Sequence, residues 1–369
     1  MAASFPRFRP GYPPHMRIVV VGATGNVGTS VLRALAQDSG VEEVVGLARR
    51  LPSLTLPKTS WVQADVVRSD LGPIFEGADA VIHLAWLIQP SRDEATTHAT
   101  NVEGSSRVFH AVGSAGVGTL VYASSVGAYS PGPKDHRVDE SWPTGGIETS
   151  YYSRHKAEVE RRLNRFELQH PDRRVVRLRP GLIFKGDAAS EIRRLFAGPF
   201  LPNRLIRPAL IPLLPVTERL VFQAVHSHDV GEAYRLAAIN DGARGAFNIA
   251  AEPVLDPARL GRLLGARPVR VPRAALRRAA EVSWQLRLQP THPSWLDLGL
   301  DTPLMDTTRA RDELGWRARR SSEEALAELI EGIRQGADFD TPPLAREAGG
   351  PLRVREIATG LGARIGLRG

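Results

Sequence analysis

The sequence predicts an α/β fold: a doubly wound parallel sheet of Rossmann type with a smaller C-terminal substrate domain. Three observations carry this. Apolar runs alternate with amphipathic stretches from Met16 onward, the runs are apolar throughout, and a glycine-rich turn separates the first run from the first amphipathic stretch. Continuous apolar strands alternating with helices belong to a parallel sheet buried on both faces. In chain order, MRIVVVG from Met16 reads as a buried strand, and Asn26 to Gln37 as a helix with Val27, Val31, Leu32 and Leu35 on one face. Strands are expected at Glu43–Ala48, Ser60–Ala64 and Asp79–Leu84, then a helix over Ala95–Ser114 and a strand over Gly118–Ser124. A helix over Tyr151–Gln169 and a strand over Arg174–Arg179 complete the alternation. Residues 16–180 are thus the sheet domain, to which 221–250 returns through a strand end with its helix and the run GAFNIA. Residues 181–220 and 251–336, rich in Pro and Arg, form the smaller domain over the strand carboxyl ends, where open α/β sheets bind ligands. Residues 1–15 read as a disordered tail, with Met16 an alternative start, and 337–369 as a C-terminal tail without assigned chemistry.

Composition removes several function classes. With 369 residues, 42% hydrophobic and 24% charged, the chain has the make-up of an ordinary globular protein. Cys is absent, which excludes disulfide scaffolds, Cys-ligated zinc, iron–sulfur clusters and thiol catalysis, and fits the cytoplasm best. A net charge of +8 and a pI near 10.2 raise the question of nucleic acid. Only Lys58, Lys134, Lys156 and Lys185 are lysines, so of 48 cations 44 are Arg, scattered through helices. That is a compositional habit rather than a binding stripe, and no nucleic-acid partner is expected. No membrane span is expected either: the most hydrophobic stretch, Leu201–Val216, is broken by four prolines and two arginines. His226 and His228 lack an evident third ligand, so no metal is assigned.

The turn VGATGNVG places Gly22, Gly25 and Gly28 between strand and helix. Glycines serve there because the turn is tight, backbone must approach a pyrophosphate, and helix packs closely on strand. The phosphate then rests on the helix N-terminus, so Thr24, Asn26 and Val27 join the glycines as candidate dinucleotide-binding residues. The spacing is GxxGxxG, and here the chain resembles the extended short-chain dehydrogenase/reductase family, which includes the NAD-dependent epimerase/dehydratases. The resemblance runs from about Met16 to Gln335 and rests on motifs in the family's order. These are VGATGNVG, Ala64–Asp65, HLA at 83–85, NVEG at 101–104, YASS at 122–125, YYSRHK at 151–156, RLRPGLIF at 177–184 and LGW at 314–316.

The second strand ends GLARR. Ala48 stands about where the family carries the acidic residue that would accept from an NAD ribose, and Arg49 and Arg50 follow. Arginines there suit the 2′-phosphate of NADP, the preferred cofactor in this reading, with NAD the alternative. Asp65 reads as a helix cap on its own; the resemblance makes it, with Val66, an adenine contact. The resemblance also puts Leu84 and Ala85 against the cofactor and makes Asn101 a support for the central helix and a water near the active-site Lys. His83 is read as structural.

Tyr152 and Lys156 stand at i, i+4 and project from one helix face. A phenol with a pKa of about 10 is a poor base at neutral pH, and an adjacent ammonium favours the phenolate. A Lys in this Arg-dominated chain is itself informative, because a compact ammonium is poorly replaced by guanidinium. Ser125 is selected over Ser124 by the family's SSxxxY spacing to Tyr129, as the hydroxyl that orients a substrate oxygen. Trp86, directly after HLA, suggests a bulky apolar pocket wall. Asp229 is expected to cap the helix after the second His.

The expected function is an NAD(P)-dependent oxidoreductase acting on a small-molecule carbonyl or alcohol, with Tyr152 as acid/base, Lys156 on the nicotinamide ribose and lowering the Tyr152 pKa, and Ser125 on the substrate. A nucleotide-sugar epimerase/dehydratase with tightly held cofactor is the alternative within the family. A non-catalytic NAD(P)-sensing or scaffold protein is the alternative outside it. The resemblance also implies a homodimer formed through two helices of the sheet domain.

Overall fold

The computed structural model describes residues 15–89, 92–197 and 212–345. Residues 1–14 of the expected tail at 1–15, residues 201–211 of the apolar stretch Leu201–Val216, and residues 346–369 of the expected C-terminal tail lie outside the described residues. Seven strands form the central sheet, buried and mainly apolar in all but the edge strand β3: β1 (Met16–Val21), β2 (Val41–Ala48), β3 (Thr59–Gln63), β4 (Ala80–His83), β5 (Thr119–Ala123), β6 (Arg174–Pro180) and β7 (Gly245–Ile249). Their order is β7-β6-β5-β4-β1-β2-β3, with every pairing parallel. The order reverses between β1 and β4, so a crevice opens beyond the carboxyl ends of these two strands.

Alternation along β1 builds two cores. Ile18 and Val20 pack with Val31 and Leu32 of α1 (Asn26–Ala36) on one face. Val19 and Val21 pack on the other with Val108 and Val112 of α2 (Gly104–Ser114) and Val159 and Leu163 of α3 (Tyr151–Gln169). A further helix, α4 (Ser227–Ile239), lies beside α1. The Ser30 and Ser227 hydroxyls meet at 2.9 Å, and a Cβ on Gly231 would come 2.7 Å from the Ser30 backbone. The buried Arg174 of β6 donates to Ala237 O at the end of α4, where a cation offsets the unpaired carbonyls.

Three local expectations differ from the structure. The helix expected over 95–114 starts at Glu94, capped by Asp93, and passes through a π-helical turn, Ala99–Glu103, before α2. The extra residue of that turn accompanies Asn101, which is fully buried and committed to the backbone of Leu87. Asp229 does not cap α4. His226 does, its Nδ1 accepting from His228 N at 3.1 Å, while Asp229 sits within the first turn and accepts from Arg319 N and Arg320 N. The strand Ala224–His226 pairs with Leu182–Phe184 instead of the main sheet, and β7 is the part of 221–250 that joins it. The C-terminal elements include α5 (Ser294–Asp301) and α6 (Ser322–Gln335). Among the described residues no helix is long and apolar enough to cross a membrane.

The β1–α1 turn leaves no room for a side chain at its last glycine: a Cβ on Gly28 would lie 2.4 Å from Gly22 O and 2.5 Å from Ala23 O. Backbone cannot yield cheaply, so Gly28→Ala is expected to destabilise the fold by about 1–3 kcal/mol, read as a lower urea midpoint at unchanged slope.

Candidate active site

The crevice is floored by the β1–α1 turn and the segment after β4. Gly22 has φ +88, and a Cβ there would sit 2.7 Å from Ala85 N, so turn and post-β4 backbone are in direct contact. Gly25 is different: a Cβ there would meet only Gly22 O, at 3.6 Å, leaving its outer face open. No side chain caps α1 and its first turn carries no acidic residue. The N–H groups of this end, beside an open glycine face, are therefore suited to an anion, and a dinucleotide pyrophosphate fits. Leu84 N donates to Val21 O, which fixes the Leu84–Ala85 segment to β1. Asn101 clamps the next residues, its Nδ2 donating to Leu87 O at 2.8 Å and its Oδ1 accepting from Leu87 N at 2.7 Å. Asn101 is thus placed as a support for this loop.

At the edge of the crevice, Arg49 and Arg50 are exposed past the end of β2, while Ala48 is buried. Asp65 caps a turn, its Oδ1 accepting from Val67 N at 2.9 Å; Val66 is buried against Gly104. His83 is enclosed in the sheet with Nε2 2.9 Å from Ser105 Oγ. Burial and then Lys156 lower its pKa to about 3, so it stays neutral, as its structural reading requires.

Ser125, Tyr152 and Lys156 come together at the carboxyl end of β5. Ser125 Oγ accepts from Gly127 N at 3.0 Å and lies within reach of Tyr152. A Cβ on Gly127 would press on Tyr152 at 2.9 Å and Ser125 Oγ at 3.3 Å, so this glycine permits the pairing. Ser124 turns away, donating to Glu160 at 2.5 Å. Lys156, 3% exposed, donates to Ala123 O at 2.6 Å, and its ammonium stands 3.5 Å from the Trp86 ring centroid. The expected lowering of Tyr152 by Lys156 is not present in the protein alone. Burial pushes the phenol up to about 12, opposed by the Ser125 hydroxyl, and burial also holds Lys156 well below its ordinary value. In both groups desolvation is the largest influence.

Several residues of this region were not anticipated. Trp295 of α5 lies 4.9 Å from the Tyr152 ring, with Phe196 5.0 Å beyond it, and Trp86 approaches Tyr152 edge-on at 5.7 Å. Tyr152 therefore works against an aromatic wall drawn from three separate segments. Glu160, one turn beyond Lys156, is the other: it bonds Ser124, Arg177 at 3.1 Å and Arg179 at 2.9 and 3.0 Å, all buried. Arg179 continues to Tyr129 Oη at 3.0 Å, which donates to Asn248 at 2.7 Å. Residues 337–345, expected to carry no chemistry, lie on the β1–α1 turn: Thr341 Oγ1 donates to Thr24 O at 2.8 Å.

A parallel sheet in this order, an open glycine turn at its switch point and a Ser–Tyr–Lys cluster beside it define a nicotinamide-dinucleotide enzyme of the Rossmann class. The family model described as the NAD dependent epimerase/dehydratase family matches residues 18–250. The chain belongs to that family. An uncharacterized protein of Mycobacterium tuberculosis is 27% identical over 321 residues, covering 86% of this chain and 30% of the relative. The chain thus spans about a third of the length of that relative. An L-arabinose 1-dehydrogenase (NAD(P)(+)) of Haloferax volcanii is 36% identical over 111 residues, 30% of this chain and 41% of that one. The UDP-glucose 4-epimerase of Thermotoga maritima, solved with UDP-glucose, shares the fold at TM-score 0.66 and 22% identity, covering 87% of this chain and 99% of its own.

In Glu160, burial raises the pKa but the Arg179 and Arg177 guanidinium groups win, holding it at about 2 against about 4.3 unfolded. Its stabilisation is therefore complete above the unfolded value and is lost as pH falls through the folded one. Glu160→Gln is expected to cost about 3–5 kcal/mol, because it leaves the buried Arg179 without a carboxylate while Arg177 keeps Glu167, and to flatten the fall in stability between roughly pH 4 and 2 in urea titrations.

Proposed function

We propose that the protein is an NAD(P)-dependent oxidoreductase that moves hydride between a nicotinamide and a carbonyl or alcohol of a small, largely apolar substrate. The observation that carries this reading is the juxtaposition of Ser125, Tyr152 and Lys156 with the open β1–α1 turn, beneath the aromatic wall of Trp86, Trp295 and Phe196. When bound, the cofactor supplies the hydride chemistry at nicotinamide C4 and a positive charge in its oxidised form. Tyr152 transfers the proton at its hydroxyl to or from the substrate oxygen. Ser125, whose Oγ accepts from Gly127 N, keeps its own hydrogen for that oxygen. Lys156 binds the nicotinamide ribose and, once charged, favours the phenolate. Glu160, one turn further along α3, supports the ammonium. The wall excludes water from the reacting carbon and rewards apolar area. Residues 16–180 with 221–250 serve as the dinucleotide domain, and 181–220 with 251–336 as the substrate domain.

The family's name keeps a second reading in place, a nucleotide-sugar epimerase or dehydratase with no net redox change. Purified protein screened with NADPH against apolar ketones is expected to oxidise the cofactor stoichiometrically. Turnover of UDP-sugars with no net change at 340 nm would replace the first reading by the second. Tyr152→Phe is expected to lower kcat by about 10²–10⁴-fold while leaving dinucleotide affinity near wild type, and full turnover in that variant would remove the acid/base role.

For cofactor choice, Arg49 and Arg50 favour NADP over NAD, since nothing acidic stands at Ala48. By calorimetric titration, Arg49→Ala is expected to weaken NADP⁺ about tenfold, the loss of one charge-assisted bond, and to leave NAD⁺ nearly unchanged. An equal loss for both would count against 2′-phosphate recognition.

A further inference from the structure

We infer that residues 337–345 are part of the dinucleotide site, and that Phe339 and Thr341 govern how fast a bound dinucleotide leaves. The inference rests on the dinucleotide reading above. Its starting point is the end of α6, where Gly336 adopts φ +67 and Ala337 N returns to Gly332 O at 2.8 Å. Gly332 itself lies against residue 186, where a Cβ would come 2.7 Å from Gly186 O. The exit direction of the chain is therefore fixed by close backbone packing.

The nine residues that follow touch three separate parts of the crevice. Toward the substrate side, Ala337 O accepts from Ser190 Oγ at 2.8 Å and Pro343 O from Arg194 at 2.5 Å. Toward the phosphate turn, Thr341, 1% exposed, donates to Thr24 O, and Phe339 is faced by the Arg33 guanidinium at 4.9 Å and the Lys185 ammonium at 5.6 Å. Lys185 in turn donates to Thr29 Oγ1 at 2.9 Å and to Asn26 O at 3.3 Å, so this contact reaches the first turn of α1. Toward the ribose side, Asp340 accepts from Ser53 Oγ at 2.7 Å and Pro342 O from Arg50 at 3.4 Å. Leu344 is fully buried at the far end.

The groups assigned to the pyrophosphate and the 2′-phosphate are thus tied to each other, and to the opposite side of the crevice, by one short segment. The segment does not crowd Gly25, where an added Cβ would meet nothing nearer than Gly22 O. A strut that joins the walls of a site without filling it acts on departure more than on arrival. The walls must separate for the ligand to leave, and affinity differences among variants of one site fall mostly on dissociation. Release of the spent cofactor limits turnover in many enzymes with closing elements, so in the oxidoreductase reading this segment sets a ceiling on kcat.

The test is a stopped-flow chase of NADPH fluorescence from the full chain, with NADH in parallel. Phe339→Ala and Thr341→Val are each expected to release dinucleotide about tenfold faster, and Thr341→Ser, which keeps the donor, at the wild-type rate. Phe339 is only half-buried, so its variant tests the segment with the fold intact, checked by an unchanged melting midpoint without cofactor. Wild-type release rates in Phe339→Ala and Thr341→Val, with binding retained, overturn the inference while the dinucleotide reading stands. A wild-type chain that binds neither NADPH nor NADH overturns both.

Discussion

The carboxylate of Glu160 is the constraint on which the site depends. It is 1% exposed and joins α3, the end of β5 and the buried face of β6 through Ser124, Arg177 and Arg179. Tyr152 and Lys156 ride on the same helix, and Ser125 follows Ser124 on the same strand end. The relative position of these three side chains is therefore set by an ion cluster beneath them. Hydrophobic packing alone would hold α3 on the sheet but would tolerate small slides along it; a fully bonded buried carboxylate does not, since a shift leaves charge unpaired in a medium of low dielectric.

The electrostatic state of the site follows from the same enclosure. Loss of water drives Tyr152 up and Lys156 down, so both lean toward their neutral forms in the protein by itself. A phenol held this way retains its proton, and an amine stacked on Trp86 is screened from solvent. Binding of a positively charged nicotinamide beside Tyr152 favours the phenolate.

Much of this was legible in the sequence because it is local. Continuous apolar strands, the glycine turn and the span of α3, Tyr151–Gln169, depend on neighbours along the chain, and the helix boundaries agree with the structure. What was missed is non-local. Glu160 reads as one more charge on a polar helix until Arg177 and Arg179 are noticed as alternate charges in a strand that should be buried, which was the available signal. Trp295 meets Tyr152 across more than a hundred residues, and Thr341 meets Thr24 across more than three hundred; no periodicity encodes such pairings. Asp229 misled for a different reason: a carboxylate near a helix start resembles a cap, but the side chain one turn earlier, His226, took that bond.

The scarcity of lysine has a practical side. Lys156 and Lys185 are buried, at 3% and 1% exposure, and Lys134 is half-covered with its amine bonded to Val221 O and Gly299 O. Lys58 alone stands in the open. A protein with a net charge of +8 consequently presents to acylating dyes, biotin esters and amine-directed crosslinkers essentially one side-chain handle among the described residues. That handle directly precedes β3, at the edge of the sheet. Distance mapping by crosslinking, by contrast, has to be built on the carboxylates.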